Sequence, residues 1–167
     1  MNSPTVTIMK KVEIGGRQGA VFGFMEGIVM LMGVLIGLAT TGERKIAVIG
    51  VLVAGVADAF ANSAGFFASE ESEGIHTKKE IRLATLWTLI ATIIAAIVIV
   101  IPLIMLPIKT AIYVSFVIAL LTLALIGNYI SKITKENKLK SILKYLIIGV
   151  VTAIATHYIG QLIVSLV

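Results

Sequence analysis

Two acids, Glu26 and Asp58, lie inside stretches that are otherwise apolar and long enough to cross a bilayer. A charge at that depth costs at least ~2.5–3.5 kcal/mol, so an acid there normally faces a partner, a cavity or an ion. Helical spacing gives each acid a neighbour on its own face. Met30 follows Glu26 by four residues, and Asn62 follows Asp58 by four. If the two faces meet, they offer two carboxylates, an amide oxygen and a thioether at two adjacent levels. That mixture of oxygen and soft sulfur suits Fe²⁺ or Mn²⁺ better than Ca²⁺. The competing reading makes each acid a structural residue, hydrogen-bonded to the next helix, and Met30 a packing gap-filler.

A second group follows in the run Ser69-Glu70-Glu71-Ser72-Glu73-Gly74-Ile75-His76, with Glu80 beyond it. Carboxylates at a helix C-terminus oppose the macrodipole by a few tenths to ~1 kcal/mol, which a bound cation would offset. Glu73 and His76 have the i, i+3 spacing of helical metal ligands, although Gly74 between them speaks against a continuous helix. A solvated acidic cap is the alternative, the usual state of a charged loop. His157, deep in the last apolar stretch, is either a proton relay or a neutral ring bonded to a backbone carbonyl. No nucleophile–base pair or phosphate loop accompanies these groups, so an enzyme is not expected. The chain has no cysteine, which removes thiolate metal sites and thiol catalysis. No resident cofactor is expected; a metal would be cargo.

The elements that hold these residues are membrane helices. Of the 167 residues 58% are hydrophobic and 14% charged, with a mean hydropathy of +1.04, against ~25% charged in a soluble domain. The expectation is an all-α integral membrane protein, one domain over 1–167, with five spans near 20–40, 46–69, 83–106, 108–130 and 142–166. The polar run Thr41-Gly42-Glu43-Arg44-Lys45 and Pro107 mark turns. Pro102 is expected to kink its helix rather than end it. The glycines at 19, 23, 27, 33 and 37, and the small residues Ala54, Gly55, Ala57, Ala61 and Gly65, let helices approach closely. The polar stretch from Met1 to Gly19 lacks the core of a cleavable signal, so the first span is expected to direct its own insertion.

Orientation follows from the basic residues. With the N-terminus in the cytoplasm, Lys10, Lys11, Arg17, Lys78, Lys79, Arg82, Lys132, Lys135, Lys138, Lys140 and Lys144 lie inside, and only Arg44, Lys45 and Lys109 outside. The positive-inside rule therefore predicts a cytoplasmic N-terminus and an outer C-terminus. The +5 net charge is explained by those turns, and no basic stripe interleaved with aromatics points to nucleic acid. An odd number of spans precludes two inverted halves in one chain, so a symmetric pathway would need a second copy.

In order, these segments resemble the vacuolar iron transporter family. Arg17-Gln18-Gly19-Ala20-Val21-Phe22-Gly23-Phe24-Met25-Glu26-Gly27 looks like the family's Arg-Asp-x-x-x-x-Gly-x-x-Asp-Gly opening, with Glu26 on its pore carboxylate. The run Ala57-Asp58-Ala59-Phe60-Ala61-Asn62-Ser63-Ala64-Gly65-Phe66-Phe67-Ala68-Ser69 follows its Ala-Asp-Ala-x-Ser-Met-x-x-Gly-Glu-Tyr-x-Ser pattern. Ile101-Pro102-Leu103 and the ending Thr156-His157-Tyr158-Ile159-Gly160 are similar but less specific. The resemblance implies a homodimer that moves Fe²⁺ or Mn²⁺ out of the cytoplasm in exchange for protons, in the plasma membrane of a prokaryote. An empty carboxyl away from water holds a proton, and metal binding displaces it. Asn62 stands where the family has a methionine, and Phe66 and Gln18 replace acids. The family's glutamate-rich region after the second helix is reduced to Glu70, Glu71, Glu73, His76 and Glu80. The alternatives are a membrane scaffold in which Glu26 and Asp58 pair structurally, and a proton or monovalent-cation pathway.

Overall fold

The computed structural model describes residues 4–166, with side chains from residue 15 onward. Lys10 and Lys11, which enter the orientation count, lie outside the described side chains. The described chain forms five helices and no strand: α1 (Pro4–Ala39), α2 (Arg44–Glu73), α3 (Lys78–Met105), α4 (Ile108–Thr134) and α5 (Lys138–Leu166). All five are long and apolar enough to cross a membrane, α1 through Gly15–Ala39. The connections 40–43, 74–77, 106–107 and 135–137 leave no room for a crossover, so successive helices run antiparallel.

The helices outrun the apolar stretches that announce them. α2 continues to Glu73, α3 already starts at Lys78 and α5 at Lys138. Hydropathy locates the hydrocarbon, whereas backbone hydrogen bonding continues past it until a stop signal intervenes. Those stops are visible. Gly42, Gly74 and Lys135 have φ of 72°, 66° and 57°, a left-handed conformation that costs a non-glycine residue about 1–2 kcal/mol. Thr77 opens α3 with a capping box: its backbone N–H donates to Glu80 Oε2 at 2.8 Å and its hydroxyl accepts from Glu80 N–H at 3.4 Å. Pro102 does not end α3, which runs on to Met105.

α1 is the centre of the bundle and touches all four other helices. Its glycines make that possible. A Cβ on Gly23 would lie 2.9 Å from both Thr88 Cα and Thr92 Oγ1, and one on Gly27 2.9 Å from Ala95 Cβ. The close approach lets hydroxyls of α3 reach the backbone of α1. Thr88 Oγ1 donates to the Gly19 carbonyl at 3.1 Å, and Thr92 Oγ1 to the Gly23 carbonyl at 3.0 Å. The same device recurs from Ser115 of α4 to the Ile99 carbonyl at 3.0 Å, and from Ser141 of α5 to the Gly127 carbonyl at 2.9 Å. In hydrocarbon such contacts and close packing, rather than the hydrophobic effect, hold helices together. Higher in the bundle, Gly33 and Gly37 of α1 seat Thr152 and Thr156 of α5. At that same end Arg44 reaches across to α3, donating from Nε to the Leu103 carbonyl at 2.7 Å and from Nη2 to the Ile104 carbonyl. It thereby meets carbonyls that a helix C-terminus leaves unpaired.

Candidate functional site

With the glycines of α1 packed on α3, the adjacent face of α1 is left to α2. Gln18, Phe22 and Glu26 each precede a seam glycine by one residue, about 100° around the helix. They form a ladder with steps of four residues, and α2 meets it antiparallel with Glu70, Phe66 and Asn62. Gln18 Nε2 donates to Glu70 Oε1 at 3.0 Å. The Phe22 and Phe66 rings are tilted with centroids 5.5 Å apart. Asn62 Nδ2 donates to Glu26 Oε2.

Asp58 completes the deepest rung. Its carboxyl is close enough to interact with both Glu26 and Asn62, it is 9% exposed, and its Oδ2 is buried without a hydrogen-bond partner. Among the described residues neither acid has a basic partner; the ion pairs are His76–Glu70 and Lys144–Glu136. Two acids side by side in a sparsely hydrated seam cannot both carry full charge uncompensated. A shared proton or a bound cation resolves this, and Oδ2 of Asp58 has a vacant lone pair for either.

Met30 lies one turn further along α1. It packs on the apolar core and lines the cleft between α1 and α5. His157 is exposed on the outer side of α5, with its ring edge-on to Tyr158 at 5.8 Å between centroids. Thr156 beside it is the residue that turns inward to α1.

At the other end of the ladder, Glu70, Glu73 and His76 bring one ligand atom each to within 4.8 Å of one another. A turn achieves this rather than a continuous helix. α2 ends at Glu73, Gly74 takes the left-handed cap, and the chain folds His76 back over Glu70. His76 Nδ1 is 2.6 Å from Glu70 Oε2, yet it is not aligned as a hydrogen bond and has no other partner. Glu70 is buried, Glu73 exposed and His76 intermediate. Glu71 is exposed and outside the group. Glu80 is engaged in the cap of α3.

Gln18 and the Phe22–Phe66 pair are the site residues that spacing alone did not single out. Their signal was present in the four-residue steps 18, 22, 26 on one helix and 62, 66, 70 on the next. It becomes meaningful only once those two faces are known to meet.

Five membrane-length helices with a pair of acids between α1 and α2, Asp58 buried and Glu26 half-buried, define an integral membrane protein with a polar seam. The model of the VIT family, the vacuolar iron transporters, matches residues 81–161, which takes in most of α3, all of α4 and α5 to Gln161; this part of the chain is similar to that family, which suggests metal-ion transport. The resemblance read from the sequence is thus found in its less specific segments, and the acid-bearing helices α1 and α2 lie outside the matched range. An uncharacterized protein of the archaeon Methanocaldococcus jannaschii is 28% identical over 158 residues, covering 78% of this chain and 83% of the relative.

Proposed function

We propose that this protein carries a divalent first-row metal ion, Fe²⁺ or Mn²⁺, across the membrane along the α1–α2 seam. The observation that carries the proposal is the rung formed by Glu26, Asp58 and Asn62. It places two carboxyls and an amide together at membrane depth, with no basic partner among the described residues and with one acid oxygen unsatisfied. A purely structural pairing of the acids would leave no such orphan, because buried polar atoms are normally satisfied. That weighs against the scaffold alternative.

The ladder supplies an order of events. Glu70, Glu73 and His76 capture the ion at the end of the bundle; eight residues further along α1, about 12 Å, Glu26 and Asp58 receive it. The Phe22–Phe66 pair stands between them as a constriction. Arrival of the cation releases protons held by the carboxyls, which makes the carrier an exchanger. The excess of basic residues at the capture end supports a cytoplasmic location for that end, and transport then runs outward. Met30 enters the pathway where a second copy brings its own α1 alongside, as in the homodimer implied by the family resemblance.

The test is uptake of Fe²⁺ and Mn²⁺ into proteoliposomes under an opposing proton gradient. Wild type moves the metal and acidifies the side that receives protons, whereas Glu26→Gln loses at least tenfold in rate while folding normally. Equal transport by the two proteins, or none by wild type with any divalent ion, refutes the assignment.

A further inference from the structure

A cleft of about 400 Å³ opens between α1, α4 and α5 at the capture end of the bundle, on the side of α1 away from the glycine seam. Its apolar depth comes from Val21 and Met25 of α1 and Ile130 of α4, Ile133 lies nearer the rim, and its polar groups are Arg17, Gln18, Tyr129 and Tyr145. Arg17 is exposed and has no acidic partner among the described residues. From Arg17 to Met25 is eight residues, so the cleft descends about 12 Å along α1. Its size is that of a small-molecule site, in which an apolar lining and a few convergent polar groups set the ligand.

The rim adds charge of one sign. Lys132, Lys135, Lys138 and Lys140 occupy the end of α4 and the start of α5, all exposed, with Glu136 the one acid among them. Lys144 reaches over the Tyr145 ring, 5.3 Å from its centroid, and is 3.6 Å from Glu136 Oε2. An apolar slot with a cationic rim at the membrane boundary is complementary to an amphiphile whose head is anionic and whose tail is hydrocarbon. A free phosphate would leave the depth of the cleft unfilled. A zwitterionic lipid would bring a cation of its own against Arg17.

We infer that this cleft binds one anionic phospholipid, its phosphate on Arg17 at the rim and an acyl chain lying along Val21, Met25 and Ile130. Arginine provides the planar fork that suits a phosphate, and basic pockets between membrane helices favour anionic headgroups over neutral ones. Gln18 lines the same cleft and donates to Glu70, so the lipid would sit against the wall of the capture group. The inference does not depend on transport.

Native mass spectrometry of the full chain in detergent tests it, with phosphatidylglycerol, phosphatidylcholine of the same chains, and glycerol 3-phosphate as probes. One phosphatidylglycerol per chain is expected to be retained at concentrations at which phosphatidylcholine is not, with no adduct from glycerol 3-phosphate. Arg17→Gln weakens retention about fivefold, the effect of one basic residue near an anionic headgroup; Val21→Trp, which fills the slot, abolishes it; Lys109→Gln, exposed at the opposite end of α4, leaves it unchanged. Because Arg17 is exposed, its variant folds even if Val21→Trp does not. Equal retention of the two lipids overturns the inference, as does an Arg17→Gln protein that binds like wild type. Full competition by glycerol 3-phosphate would make it a free-phosphate site, and a lipid-free dimer would mean that a second copy covers the cleft; either result also overturns it.

Discussion

Replacing Gly23 by alanine tests whether the α1–α3 seam holds the acids in place. A Cβ at this position would overlap the Thr88 carbonyl oxygen and lie 2.9 Å from Thr88 Cα and 2.9 Å from Thr92 Oγ1. Carbon atoms settle at ~3.5–4.0 Å, so the helices must part by roughly 1 Å. Overpacking of this kind costs about 1–3 kcal/mol. The same separation stretches the bonds from Thr88 to Gly19 and from Thr92 to Gly23. Interhelical hydrogen bonds of this sort average ~0.6 kcal/mol each in a membrane protein. The expected loss is therefore about 2–4 kcal/mol. Gly65→Ala is the matched control, because nothing lies within 4 Å of a Cβ there. On helix propensity alone it should be neutral or stabilising by up to ~1 kcal/mol. Reversible unfolding in mixed micelles of mild detergent and dodecyl sulfate measures both. If Gly23→Ala falls within about 0.5 kcal/mol of Gly65→Ala, near the limit to which separate substitutions are resolved, the seam is not the tight contact described.

Two other substitutions probe the end of the bundle that carries Glu70 and His76. Glu70→Gln should weaken Mn²⁺ binding, followed by the paramagnetic resonance of the free ion, at least tenfold, whereas Glu71→Gln should leave it unchanged. Lys135→Gly should raise stability by about 1 kcal/mol in the same unfolding assay, since it removes the Cβ from a left-handed helix cap, and no change would mean that the Lys135 side chain contributes as much as its backbone costs.

How much of this was legible in the sequence differs between backbone and site. The spans were legible because five apolar stretches separated by Gly42, Gly74, Pro107 and a lysine-rich turn allow few other readings. Their ends were not, since helical hydrogen bonding carries Glu70–Glu73 and Lys78–Arg82 beyond the hydrocarbon. The acids at 26 and 58 stood out because their cost in a membrane is large. The choice of partner did not: a glycine at 19 or 23 says that something approaches closely, but only the folded chain says that it is α3, through Thr88 and Thr92. Gly74 is the instructive case. Read as a helix breaker it argued against Glu73 and His76 acting together, yet as a left-handed cap it is what turns His76 back onto Glu70.

The pairing of Glu26 with Asn62 also constrains how the chain can enter the membrane. Either α1 or α2 threaded alone would present a bare acid to lipid, at a cost of at least ~2.5–3.5 kcal/mol each. The four residues 40–43 that join them are too few to let one helix wait far from the other. Threaded as a hairpin, each acid leaves the insertion machinery already facing an amide or a second carboxyl. α3 is made only afterwards, and its hydroxyls reach the α1 backbone across 69 residues of sequence. The acid-bearing rung is therefore assembled first, as the solubility device of a nascent hairpin, before the rest of the bundle exists to support it.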